Sequence, residues 1–122
     1  MMNLKNILLV SLGGGIGALC RFYISNLFKA GSFPLSTLII NIVGSFFIGI
    51  VFALGIKNEQ FSEELKLFLA TGICGGFTTF SAFSVENIQL LKTGDYAMAG
   101  LYIFASIACC LLACFAGLKM IN

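Results

Sequence analysis

The sequence predicts an all-α integral membrane protein: one domain, residues 1–122, of four transmembrane helices with the third broken near its middle. Composition is the first reason. Of 122 residues, 59% are hydrophobic and 10% charged, with a mean hydropathy of +1.03, whereas a soluble domain carries about a quarter charged residues. The second is length. A helix needs roughly 20 mostly apolar residues to cross a bilayer, so four crossings take ~80 positions and leave only short connections. The third is a Gly-Gly pair beside three hydroxyl residues inside an overlong apolar run.

Taken in order, the first span covers residues 7–28, preceded by Lys5. Arg21 and the missing small-residue cleavage site distinguish it from a signal peptide, so it is retained. Lys29, Gly31 and Ser32 form a turn, and Pro34 opens the second span, 35–56, where a helix start tolerates a missing N–H. Residues 57–66 form the charged connection. Within it Ser62 suits an N-cap, and Glu63 and Glu64 sit where a helix N-terminus favours anions. The third span, 63–91, contains Thr71-Gly72-Ile73-Cys74-Gly75-Gly76-Phe77-Thr78-Thr79-Phe80-Ser81, the expected break. After the turn Lys92-Thr93-Gly94-Asp95, the fourth span runs over 96–118 and ends at Lys119.

Orientation follows the basic residues of short loops. One side holds Lys5, Lys57, Lys66 and Lys119; the other holds Lys29 and Lys92, with Arg21 near it. So weak a bias lets a chain insert both ways, and two oppositely inserted copies can pair about an axis in the membrane plane. Such pairing matters because four helices with short loops fill their own interior and leave little room for a water-lined path.

Several function classes are disfavoured by composition. Histidine and tryptophan are absent, and the carboxylates are Glu59, Glu63, Glu64, Glu86 and Asp95, so groups for acid–base or metal chemistry are scarce and an enzyme is not expected. The seven basic residues form no run, which makes nucleic acid a poor partner. Cys20, Cys74, Cys109, Cys110 and Cys114 lie in apolar stretches without C-x-x-C spacing, and read as small packing residues rather than a disulfide framework.

The polar residues inside the spans fall on stripes. Thr37, Asn41 and Ser45 share one face of span two. A mid-membrane asparagine is either an interhelical clamp or a donor facing a pore. Beyond the break, Phe80, Phe83, Ser84 and Asn87 share a face; in span four Tyr102, Ser106 and Cys110 form a polar stripe beside Ala105, Cys109, Ala113 and Gly117. The small-residue stripe is a helix-packing surface, as is the Gly13–Gly17 pair. Aromatic rings carry a positive edge, so phenylalanine edges, an amide and hydroxyls solvate a small anion without a fixed charge, and let it leave as well as enter. A broken helix also presents carbonyls suited to cations and amides suited to anions.

Three strings carry a family resemblance: Gly13-Gly14-Gly15-Ile16-Gly17-Ala18 with Arg21-Phe22-Tyr23; Thr37-Leu38-Ile39-Ile40-Asn41 with Gly44; and Gly72-Ile73-Cys74-Gly75-Gly76-Phe77-Thr78-Thr79-Phe80-Ser81-Ala82-Phe83-Ser84 with Glu86. Together they resemble the Fluc (CrcB-type) fluoride channels of microbes, across essentially all four spans. The resemblance implies an antiparallel, dual-topology homodimer in the cell (inner) membrane. It also implies paired fluoride-selective pores and a structural sodium ion at the dimer interface, held by backbone carbonyls of Gly75 and Thr78. Phe80 and Phe83 match the family's pore-lining phenylalanines, Asn41 its pore asparagine, Arg21 a basic residue near the aqueous approach, and Thr79 and Ser81 its third-span polar track. With the stripe residues Ser84, Tyr102 and Ser106 these complete the expected pathway. Ala82 and Cys110 stand where hydroxyl residues are expected. Such a channel exports cytoplasmic fluoride passively. The alternatives are a small dual-topology proton-coupled drug transporter, for which Glu86 is the one candidate carboxylate, and a structural membrane subunit.

Overall fold

A computed structural model describes residues 2–29 and 31–121 of the chain. Helix α1 spans Leu4–Leu27 and α2 spans Leu35–Lys57. The third rod is composite: α3 (Glu63–Lys66) passes without leaving helical conformation into a π-helical segment, Leu67–Cys74, and then α4 (Gly75–Phe77). After Thr78 and Thr79, both extended, α5 covers Phe80–Lys92, and α6 covers Tyr96–Ile121. Among the described residues, four helical stretches, Leu4–Leu27, Leu35–Lys57, Glu63–Lys92 and Tyr96–Ile121, are long and apolar enough to cross a membrane. The chain is a multi-pass membrane protein.

Caps set the helix ends. Asn3 Oδ1 accepts from Asn6 N–H at 2.8 Å, which starts α1 before residue 7. Pro34 is the N-cap of α2, and Ser62 Oγ accepts from Leu65 N–H at 3.1 Å. Helix α6 runs past residue 118 to Ile121, whose carbonyl accepts from Lys57 Nζ at 2.9 Å. Lysine at this end also suits the helix dipole.

Gly75 and Gly76 are helical, and the extended backbone lies two residues later, at Thr78 and Thr79. Close approach, rather than turning, explains Gly76: a Cβ there would lie 2.9 Å from Gly14 Cα and run into the Gly14 carbonyl. Glycines seat α1 against the third rod throughout. At Gly13 a Cβ would meet Phe68 O at 2.6 Å, and at Gly17 it would meet Ile73 O and come within 2.7 Å of Phe77 N. The expected Gly13–Gly17 packing surface is therefore present. On the other side, Gly49 of α2 faces the Cys114 carbonyl and Gly117 of α6 faces the Phe46 carbonyl. With lipid outside, helix contact comes from such close backbone approach rather than from hydrophobic burial.

The interior is small, with Ile40, Ala53, Ala99 and Tyr102 at its centre. Large apolar residues such as Leu19, Phe52, Phe104 and Leu112 face outward, where hydrocarbon replaces water as solvent. Two of the cysteines depart from the packing expectation. Cys74 is buried, but Cys20 and Cys109 are exposed on the outer surface, where a thiol behaves as a small hydrophobe towards lipid. The fourth-span small stripe is thus divided: Gly117 packs on α2 while Cys109 faces out.

Candidate functional site

Where the third rod leaves helical conformation, its backbone is held by side chains. Asn41, on α2, grips Thr79 at both ends: its Oδ1 accepts from Thr79 N–H at 2.8 Å and its Nδ2 donates to Thr79 O at 3.1 Å. This is the hydrogen-bonding pattern of a strand partner, supplied by one amide. Thr79 Oγ1 in turn accepts from Ala82 N–H at 3.1 Å, capping α5. Asn41 also lines the groove described below, so clamp and groove-facing amide are combined in one residue.

The same bonds release two carbonyls. In an uninterrupted α-helix Gly75 O would accept from Thr79 N–H, and Thr78 O from Ala82 N–H. Asn41 and the Thr79 hydroxyl take those donors instead. Gly76 O is served by Arg21 Nε at 3.1 Å, and Cys74 O by both Thr78 N–H and Thr78 Oγ1, at 3.0 and 2.9 Å. Gly75 O and Thr78 O are thus two of the carbonyls at the break that lack their helical donors; Phe77 O, whose helical donor would be Ser81 N–H, is another. Among the described residues no group of three or more His, Cys, Asp and Glu side chains could hold a metal ion.

Beside this backbone an open groove of about 920 Å³ runs between α2, α5 and α6. Asn41 and Ser45 line it from α2, Phe80, Phe83 and Ser84 from α5, and Ser106 and Cys110 from α6; Gly75, Thr78 and Thr79 also reach it. Phe80 and Phe83 pack with ring centroids 5.2 Å apart, and Phe80 is 76% exposed. The groove is open along one side. Ser106, only 7% exposed, lines it with a hydroxyl that has no hydrogen-bond partner among the described residues.

Behind Phe83 lies a second polar centre. Glu86 accepts from Thr37 Oγ1 at 2.8 Å through one carboxylate oxygen and from Tyr102 OH at 2.7 Å through the other. Fully buried, Tyr102 packs against Phe83 with tilted rings at 5.0 Å and meets Phe33 edge-to-face at 5.5 Å. Helices α2, α5 and α6 thus meet at one carboxylate, with both oxygens engaged by hydroxyl donors. Such charge-assisted bonds are short and strong.

Of the expected pathway residues, the groove gathers Asn41, Thr79, Phe80, Phe83, Ser84 and Ser106. Three are not among its lining residues. Tyr102 stands behind Phe83 with its hydroxyl on Glu86; Ser81 has its Oγ 3.1 Å from Oγ1 of Thr79, which does line the groove; and Arg21 binds the Gly76 carbonyl from the α1 side. A four-residue period places side chains on a helix face but not behind a neighbour's ring, which is why Tyr102 was not separable from Ser106. The Thr37–Glu86–Tyr102 cluster escaped sequence reasoning. Its one available signal was a carboxylate in an apolar span, which requires partners.

Comparison with known proteins gives a consistent result. The family described as "CrcB-like protein, Camphor Resistance (CrcB)" matches residues 8–118. A protein of Azobacteroides pseudotrichonymphae named "Fluoride-specific ion channel FluC" is 49% identical over 107 residues, covering 85% of this chain and 86% of its own. Proteins of the same name from Pyrococcus abyssi and Flavobacterium psychrophilum are 42% and 43% identical, each covering at least 94% of both chains. A match that runs through all four spans and includes both the clamped backbone and the phenylalanine pair places the chain in the CrcB family.

Proposed function

We propose that two copies of this chain, inserted in opposite orientations, form a fluoride-selective channel that lets cytoplasmic fluoride leave down its gradient. The observation that carries the reading is the half-open groove in which the Phe80 and Phe83 rings stand beside the Asn41 amide and the Ser106 hydroxyl, which has no hydrogen-bond partner among the described residues. Ring edges and neutral donors stabilise a small anion while leaving it free to depart. The names of the relatives support the choice of fluoride. A second copy is the natural cover for a groove this large and apolar at mid-membrane, and it would enclose the ring that a single chain leaves exposed. In this reading the third span is a broken helix and the membrane is the cytoplasmic (inner) one.

Sodium fits the same assembly. The Gly75 and Thr78 carbonyls border the groove, where the second copy would bring its own pair. Four such oxygens around one ion would offset the cost of leaving them unpaired in the membrane. Replacing sodium by a larger cation during purification is expected to lower the fraction of dimer eluting in size-exclusion chromatography. An unchanged elution profile in caesium would count against the site.

A proton-coupled drug transporter is not favoured, because both Glu86 oxygens are occupied by Thr37 and Tyr102, whereas cation export needs a carboxylate available in a chamber. The deciding experiment is fluoride against chloride efflux from liposomes. Phe80→Ile and Phe83→Ile keep an apolar side chain but remove the ring edge. Each is expected to slow fluoride efflux at least tenfold per folded protein. If packing were the rings' only role, the substitutions would cost about 1–3 kcal/mol of stability and leave flux per folded protein unaltered.

A further inference from the structure

Arg21 is a cation inside an apolar span, and what balances it is not an acid. Among the described residues the ion pairs are Lys5–Glu64 and Lys66–Glu63, which leaves the half-buried Arg21 without a carboxylate partner. Its side chain makes one hydrogen bond among those residues, from Nε to Gly76 O at 3.1 Å. A charge placed there needs partial negative charge from the backbone instead.

The break in the third rod supplies it. Helical conformation runs from Glu63 through Phe77 and stops, so the carbonyls of residues 74–77 are the negative end of a helix dipole and lie beyond the reach of intrahelical donors. Cys74 O accepts from Thr78 N–H and Thr78 Oγ1. Gly76 O, whose helical donor would be Phe80 N–H, accepts from Arg21 Nε. Gly75 and Thr78 line the groove, whereas Gly76 packs on Gly14 of α1 and neither it nor Arg21 is among the lining residues. Arg21 thus ties to α1 the same break that Asn41 ties to α2.

We propose, resting on the channel reading, that Arg21 is a positioning residue: it caps the first half of the third rod from a neighbouring helix, and by fixing Gly76 against α1 it keeps Gly75, Thr78 and the start of α5 at Phe80 in place along the groove. In this role the guanidinium acts through one N–H at a fixed reach. A basic residue at an aqueous approach, as the resemblance implies, would act through its charge.

The two roles call for opposite substitutions. In Arg21→Gln the amide nitrogen stands as many bonds from Cα as the arginine Nε, so a donor for Gly76 O is kept while the charge is lost. Arg21→Lys keeps the charge, but its ammonium lies one bond farther out and, strongly hydrated, is drawn towards the water beyond Leu27. Arg21→Met has a similar length and neither property. Fluoride efflux from liposomes is measured for each full-length protein and normalised to folded dimer, with thermal melts alongside. The glutamine variant is expected to keep at least a third of the parent's efflux, having lost only the charge assistance of the bond, and the lysine and methionine variants to lose at least tenfold; the melts should follow the same order. Lysine within twofold of the parent, glutamine no better than methionine, or methionine as fast as the parent each overturns the assignment. If the methionine variant yields no folded protein, the order of glutamine and lysine alone decides. Fluoride efflux no faster than chloride from the unsubstituted protein overturns the channel reading, and the order of the melts, which needs no transport, then tests the cap by itself.

Discussion

Asn41→Asp is expected to abolish fluoride efflux, because the substitution acts on the backbone clamp and on the electrostatics at once. The wild-type amide accepts from Thr79 N–H and donates to Thr79 O. Aspartate keeps the first bond and turns the second into a contact between a carboxylate oxygen and a carbonyl oxygen, with no donor between them. Its charge also faces the groove that Asn41 lines. At an effective dielectric constant near 20, two like charges about 4 Å apart repel by ~4 kcal/mol, and at 1.4 kcal/mol for each factor of ten that is roughly a thousandfold loss of anion occupancy. Asn41→Ala separates the two effects. It removes the clamp without adding charge, so it should lower stability and reduce flux far less than aspartate does. Efflux assays normalised to folded protein, with thermal melts by circular dichroism, decide the matter. Equal flux from the alanine and aspartate variants would remove charge from the account.

How much of this was legible in the sequence differs from residue to residue. The four spans were, because ~20 apolar residues in a row leave few alternatives, and the residual differences at Leu4 and Ile121 come from caps and helix-end contacts, which periodicity does not encode. The stripes on α2 and α5 were legible for the same geometric reason. What no helical period reports is depth. Tyr102 and Ser106 share a stripe, yet one is sealed behind Phe83 with its hydroxyl on Glu86 and the other lines the groove. The Gly-Gly pair misled in a different way. Glycine marks either a turn or a close approach, and only the position of Gly14 against Gly76 shows which. The π-helical segment Leu67–Cys74 gave no sequence signal at all.

The same distinction makes the glycine positions a sharp test of the fold. Gly17→Val is expected to prevent folding. A Cβ at residue 17 would meet the Ile73 carbonyl and come within 2.7 Å of Phe77 N, both of them backbone that no rotamer change can clear, so α1 would have to lift away from the third rod. Overpacking a tolerant core costs about 1–3 kcal/mol, and here the obstacle is main chain, so the loss should exceed that range. Arg21, four residues on, would lose its bond to Gly76 O as the helices part. Gly75→Val predicts the opposite within one chain: a Cβ at residue 75 meets only Ala70 O, at an ordinary 3.6 Å. Bulk at Gly75 therefore spares the chain's own packing and, in the proposed dimer, falls on the partner copy. The Gly75→Val protein should retain the parent's helical circular dichroism and melt, yet elute at the monomer position with little fluoride efflux, whereas Gly17→Val should yield aggregate or no protein. A Gly17→Val protein that melts like the parent would show that α1 does not pack on the third rod at this distance, and a Gly75→Val protein that elutes as an active dimer would separate Gly75 from the subunit interface.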